Sequence, residues 1–208
     1  MIPLLKAFSA LLSYPDATMR QALPEIADIV RASPLLGPTH REAVLALADE
    51  IGAGEGLAAE ERYVDLFDRG RALSLHLFEH VHGDGRDRGT AMVELKSLYG
   101  AAGYDLNAPE LPDYLPVVLE YLSLRGMDEA RDMLADCAHI LASIARALLA
   151  RQSAYAAVPQ ALLVLAGAEP VDAAKIAPVP ERTETLDRDW AERPAFAEPP
   201  NPGGGPAT

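Results

Sequence analysis

Apolar side chains recur through this chain at every third or fourth position and nowhere in convincing strict alternation, so it is built to bury helix faces, not sheet faces. The pattern is strongest from Asp128 to Gln152, where Met133, Cys137, Ile140, Leu141, Ile144 and Leu148 form one stripe along a single predicted helix. Such a stripe reads as core, with a cofactor box as the remaining alternative. Half the residues are apolar and only 6% aromatic, a balance that suits helices packed through small and unbranched side chains.

Punctuation divides the rest into shorter helices. Ile2 to Ser13 is a short apolar helix with Pro3 in its first turn, stopped by Tyr14-Pro15. Asp16 to Ser33 continues helically with a break at Pro24, and Thr39 is positioned to cap a helix running to about Ile51. Gly52, Gly54 and Gly56 mark a loop. Leu57 to Arg69 places Tyr63, Leu66 and Phe67 on one face, and Arg88 to Ala102 groups Met92, Leu95 and Tyr99. Asp113 reads as an N-cap with Pro116 in the first turn behind it, and a last short helix covers Pro159 to Ala166. The expectation is an all-α, single-domain bundle of roughly eight to nine helices over residues 1–168.

From Pro170 the composition changes, with eight of the 17 prolines in residues 170–208. Residues 169–208 therefore read as an acidic, Pro/Gly-rich disordered tail, unable to bury enough apolar surface to offset its ordering entropy. Trp190 and Phe196 stand out within it, either as a docking element or as stray aromatics.

A net charge of −13 argues against nucleic acid and anionic lipid as partners and favours a basic peptide. Cys137 is the single cysteine, so no intramolecular disulfide or cysteine-based zinc cluster forms, and its apolar neighbours mark it as a buried small side chain. With neither a secretory leader nor a long uncharged apolar run, the chain reads as soluble and cytoplasmic.

Three of the five histidines fall between Leu75 and Gly83, followed by Arg86-Asp87-Arg88-Gly89. On one helix His76 and His80 would share a face with Glu79 beside them, and Glu79 with His82 makes one Glu-x-x-His. Zinc needs a third protein ligand, and a di-metal carboxylate bundle needs a second Glu-x-x-His; the sequence supplies neither. The segment is a metal site, a catalytic site, a recognition surface or a solvated helix face.

Taken with other segments, it resembles the nitrate reductase delta-subunit family, the NarJ-type assembly chaperones within the wider TorD-like redox-enzyme chaperones. The resemblance is carried by Ser74 to Gly83 with Arg86-Asp87-Arg88-Gly89 and Ala91-Met92. Supporting matches are Leu11 to Pro15, Tyr63 to Phe67, and Glu110-Leu-Pro-Asp113-Tyr114-Leu-Pro116 with Leu119 to Leu122. Glu110 to Pro116 is similar to a family signature tied to binding the client's leader peptide, with Tyr114 where the family carries His. Unlike His, Tyr gains no proton near neutral pH.

The resemblance implies a non-catalytic cytoplasmic chaperone. It would bind the apo catalytic subunit of a respiratory nitrate reductase through that subunit's N-terminal segment. It would support insertion of a molybdenum bis-molybdopterin guanine dinucleotide cofactor and delay membrane attachment, holding no cofactor stably itself. An amphipathic client segment would lie in a helical groove containing Tyr63, Phe67, Leu77 and Tyr121. Glu79, Asp87, Glu110 and Asp113 would form an acidic rim, with Tyr114, Arg86 and Arg88 beside it and His76, His80 and His82 tuning its charge. The alternative is a small metal-dependent helical enzyme using His76, Glu79, His80 and His82.

Overall fold

Prolines in first turns and short apolar stripes cut this chain into many brief helices. The computed structural model describes residues 1–68, 71–81, 86–106 and 110–179. Among them run α1 (Pro3–Leu11), α2 (Ala17–Gln21), α3 (Leu23–Ala32), α4 (Pro38–Gly52), α5 (Gly56–Phe67) and α6 (Leu77–Val81). Then follow α7 (Arg86–Ala101), α8 (Leu115–Ser123), α9 (Met127–Asp136), α10 (Ala138–Ala150) and α11 (Ala157–Leu165). Short 3-10 turns cover Arg71–Leu73, Ala154–Ala156 and Ala173–Lys175. The all-α expectation holds. The helix count exceeds it because two expected helices are each broken once.

Proline starts α1, α3, α4 and α8, where its missing N–H has no intrahelical partner to lose. Asp16 caps α2 by accepting from the Met19 N–H at 2.7 Å. The N-cap of α4 is Gly37 and not Thr39, because Pro38 already occupies the first helical position.

The expected helix from Asp128 to Gln152 is two helices, α9 and α10, bent by 68° at Cys137. Cys137 has φ −99° and ψ 10°, and its Sγ donates to the Met133 carbonyl at 3.3 Å. The bend lets the two halves bury different surfaces: α9 contributes Ala130 and Leu134, α10 contributes Ile140, Leu141, Ile144 and Leu148. Met133 and Cys137 remain only half-buried. Burial pushes the Cys137 thiol up to about 11, so it stays protonated and unreactive at neutral pH.

The core is continuous. The largest helix pair is α1 against α8, followed by α10 on α11 and α3 on α4. Phe8, Leu11, Leu12, Leu115, Leu119 and Leu122 are fully buried. Two polar ties set the α1–α8 register: the Ile2 N–H donates to the Ser123 carbonyl at 2.6 Å, and Ser9 Oγ donates to the Pro116 carbonyl at 2.7 Å. No single helix among the described residues is long and apolar enough to cross a membrane.

Beyond α11 the chain turns at Gly167 (φ +75°) and doubles back. The Gln160 amide clamps this return, its Nε2 donating to the Val171 carbonyl and its Oε1 accepting from the Val171 N–H, at 2.7 and 2.8 Å. The Val179 N–H then donates to the Ala150 carbonyl at 2.7 Å. The part of the expected tail from 180 to 208 lies outside the described residues, as do His82 and Gly83.

At the end of α10 the Gln152 N–H bonds the Leu149 carbonyl and the Ser153 N–H the Leu148 carbonyl, closing the helix on a left-handed Gln152 at φ +53°. A side chain is strained there, whereas glycine is not. Gln152→Gly is therefore expected to stabilise the chain by about 0.5–1 kcal/mol, after subtracting glycine's extra chain entropy. Urea denaturation reads this directly; a lower midpoint in the variant would contradict it.

Candidate functional site

The His-rich segment does not form the helix its spacing suggests. Among its described residues only Leu77–Val81 is helical, and His76 precedes it in an isolated antiparallel bridge with Tyr114. The Leu77 N–H donates to the Asp113 carbonyl at 3.0 Å and the Leu115 N–H to the Leu75 carbonyl at 2.8 Å. The two motifs that stood out in the sequence, 74–83 and 110–116, are thus joined backbone to backbone.

Asp113 is the fastener. It was expected to cap α8, yet the N-cap of that helix is Tyr114, and Asp113 itself is fully buried. Its Oδ2 accepts from the Phe78 N–H at 3.1 Å and its Oδ1 faces His76 Nδ1 at 3.2 Å. A carboxylate across a long-range bridge satisfies an orphan N–H at the start of α6, where a capping group would serve. An ionised Asp113 requires Nδ1 of His76 to carry the hydrogen, which leaves Nε2 without it in the neutral ring.

His80 has a different partner. Its Nε2 lies 2.9 Å from the Ser74 carbonyl. His76 and His80 therefore engage separate groups and do not converge. Among the described residues no three His, Cys, Asp or Glu side chains are grouped to hold a metal ion. Glu79 pairs with Arg88 at 3.2 Å, while its carbonyl accepts from Arg71 at 2.8 Å. Asp87 is exposed in the first turn of α7, and Arg86 opens that helix.

Beside the bridge opens a cavity of about 380 Å³, lined by Tyr63, Phe67, Asp68, Ser74, Leu75, His76, Glu110, Leu111 and Tyr114. The rings form its floor. Tyr63 packs on Phe67 at 4.8 Å between centroids, Phe67 meets Tyr155 edge-on at 5.2 Å, and His76 lies over Tyr114 at 5.1 Å. Tyr63 Oη donates to the Leu12 carbonyl at 2.8 Å, so the 2.9 Å bond between the phenols is donated by Tyr114. Burial, then the neighbouring Glu110 and Asp68 carboxylates, hold the Tyr114 phenol above its ordinary value despite the opposing Tyr63 bond. It is neutral at physiological pH.

Of the expected site residues, Tyr63, Phe67, His76, Glu110 and Tyr114 line this cavity. Leu77 is buried in the core and does not line it. Tyr121 belongs to a separate cluster, stacked on Tyr99 at 4.6 Å and bonded to Glu129 at 3.1 Å. The expected acidic rim changes membership: Asp113 is enclosed, Glu79 is paired, and Asp68 joins Glu110. Asp68 follows Phe67 directly and lies five residues beyond Tyr63, a spacing that the grouping of Tyr63 and Phe67 could have exposed.

A family profile for the nitrate reductase delta subunit matches residues 16–158, which include the bridge and every residue lining the cavity. The chain belongs to the nitrate reductase delta subunit family. It is 41% identical over 190 residues to an Escherichia coli (strain K12) protein, nitrate reductase molybdenum cofactor assembly chaperone NarJ, covering 88% of this chain and 80% of that one. A second protein of that strain, named as the probable assembly chaperone NarW, is 40% identical over 166 residues, 79% of this chain and 68% of its own. A Bacillus subtilis (strain 168) protein named as a probable NarJ is 30% identical over 158 residues, covering 76% and 84%. Within this family member, residues 159–179 lie beyond the profile, and the stretch after α11 remains tied to α10 and α11 through Val179 and Gln160.

Proposed function

We propose that this chain is a system-specific assembly chaperone. It binds the apo catalytic subunit of a respiratory nitrate reductase in the cytoplasm and holds it competent for molybdenum cofactor insertion. Membrane attachment is delayed meanwhile, and the chaperone does not remain in the mature enzyme. It is not itself an enzyme, and the cofactor is cargo for the client.

Family membership supports the client class. The observation that carries the site is the cavity at the bridge, with an aromatic floor and two carboxylates, Asp68 and Glu110, on its wall. An amphipathic client segment would place apolar side chains on Tyr63, Phe67 and Tyr114, with Lys or Arg against the carboxylates. Arg would gain further from the Tyr114 face. Glu79, Asp87 and Arg88 would form a flanking charged surface, with His80 beside it.

The test is binding of a synthetic peptide carrying the client's N-terminal segment, measured by calorimetry. Asp68→Lys combined with Glu110→Lys is expected to weaken binding roughly tenfold, and rising salt to weaken the wild type. Equal affinity in variant and wild type would sink the acidic-wall reading. Failure of the full chain to capture the apo catalytic subunit from nitrate-respiring cells would sink the chaperone reading itself.

A further inference from the structure

The described chain ends on the last turn of α10, a few residues from a ring that touches its own candidate site. Val179 is bonded to Ala150, the last residue of α10. Five residues later Tyr155 touches Tyr63 and Phe67, at 6.0 and 5.2 Å between ring centroids, and both of those line the cavity. The Ser153 N–H bonds back to the Leu148 carbonyl, so this stretch folds back on itself and does not run out. Even fully extended, the path from Val179 through Tyr155 to the cavity floor is at most about 33 Å, and the eleven residues from Pro180 to Trp190 reach about 36 Å.

What that reach delivers matches the cavity. Residues 180–208 hold Trp190, the only tryptophan in the chain, with Arg188 two residues before it and Arg193 three after. Asp189 and Glu192 lie between them, so the segment is neutral overall and the match rests on the individual guanidinium and indole groups, not on net charge. The cavity offers rings at its floor and two carboxylates, Asp68 and Glu110, that have no cationic partner among the described residues. An Arg–aromatic segment is the chemistry this site selects: indole on Phe67 and Tyr114, guanidinium on carboxylate.

We propose that the chain's own segment from Arg188 to Arg193 docks in the Asp68–Glu110 cavity as an intramolecular stand-in, which the client peptide must displace. Tethering supplies the strength that the few contacts lack. A short linker holds the segment at millimolar effective concentration, enough to populate a weak contact yet yield to a tighter ligand. The consequence is a built-in threshold: peptides that cannot outcompete the tail are refused, and an empty site presents no open aromatic floor. The regulatory half of this proposal rests on the client-peptide reading above, whereas the docking half does not.

Because Trp190 is the sole tryptophan, its fluorescence in the full chain reports docking directly. The emission is expected to lie to the blue of that of a synthetic peptide of residues 180–208. It should move to the red in Asp68→Lys with Glu110→Lys, and on adding client peptide to the wild type. Arg188→Glu with Arg193→Glu in the full chain should also redden the emission and tighten client-peptide binding about three- to tenfold. Circular dichroism confirms that the variants keep their fold. Emission matching the free peptide in the wild type would overturn the proposal. So would blue emission indifferent to Asp68 and Glu110, because the tail would then be docked elsewhere, for example on the apolar groove of Met1, Ile2, Ile29, Leu35 and Met127. Emission that responds to the cavity variants while client peptide fails to bind leaves docking standing and removes the chaperone reading instead.

Discussion

Asp113→Ala is expected to remove about 3 kcal/mol of stability and lower the melting temperature by about 6–12 °C for a chain of this length. The size follows from enclosure. Asp113 has no solvent-accessible surface, and its two oxygens face the Phe78 N–H and His76 Nδ1. Alanine keeps the backbone bond from Leu77 but strands the Phe78 donor where water cannot replace the lost acceptor. Asp113→Asn preserves shape and one acceptor oxygen, so about half that loss is expected. His76→Ala should cost less than either, since His76 is partly exposed and Asp113 would still hold Phe78. A double-mutant cycle over Asp113 and His76 separates their shared energy, with a coupling of about 1 kcal/mol expected. A urea midpoint for Asp113→Ala indistinguishable from wild type would show that the bridge stands without its fastener.

Asp113 also shows what could be read in advance. Local grammar was legible where the signal lies within one turn: the second helical stretch begins at Asp16, and Pro3, Pro24 and Pro116 stand in first turns, whereas Pro38 holds the first turn of α4 from which Thr39 was expected to cap. Asp113 obeys the same grammar by residue type, three positions before a helical proline, yet its N–H partner, Phe78, lies 35 residues away. No pattern within one segment encodes that pairing. The same limit explains His76 and His80. Their i, i+4 spacing implies a shared face only if both are helical, and the bridge to Tyr114 pulls His76 out of the helix. Cys137 interrupts a stripe with no proline or glycine to mark the break, because its cause is which neighbour each half must bury. The aromatic floor was half visible: Tyr63 and Phe67 share a helix face with Asp68 directly after them, while Tyr155 and Leu111 join them only through the fold.

Tyr63→Ala should produce the largest loss, about 3–5 kcal/mol, together with loss of client-peptide binding. Tyr63 is 5% exposed and joins four parts of the molecule. Its ring meets Tyr14, Phe67 and Tyr155, its hydroxyl donates to the Leu12 carbonyl, and that same oxygen accepts from Tyr114. Tyr63→Phe isolates the hydroxyl: the ring remains, the Leu12 carbonyl and Tyr114 Oη each lose a partner, and about 1–2 kcal/mol is expected to go. The pH dependence then distinguishes this account from simple loss of volume. Burial, the largest cause, and the adjacent Tyr114 raise the Tyr63 phenol far above its ordinary 10. A folded value above the unfolded one means that the contribution is intact below pH 10 and declines as pH climbs beyond it. The gap in stability between wild type and Tyr63→Phe should therefore be constant from pH 6 to 9 and narrow above pH 10, where ionisation is open only to the unfolded wild-type phenol. A gap constant through pH 11 would mean that the fold does not hold the phenol protonated, and a gap of zero from pH 6 to 9 would mean that Tyr63 acts through its ring alone and that the hydroxyl chain from Tyr114 to Leu12 adds nothing to the floor of the site.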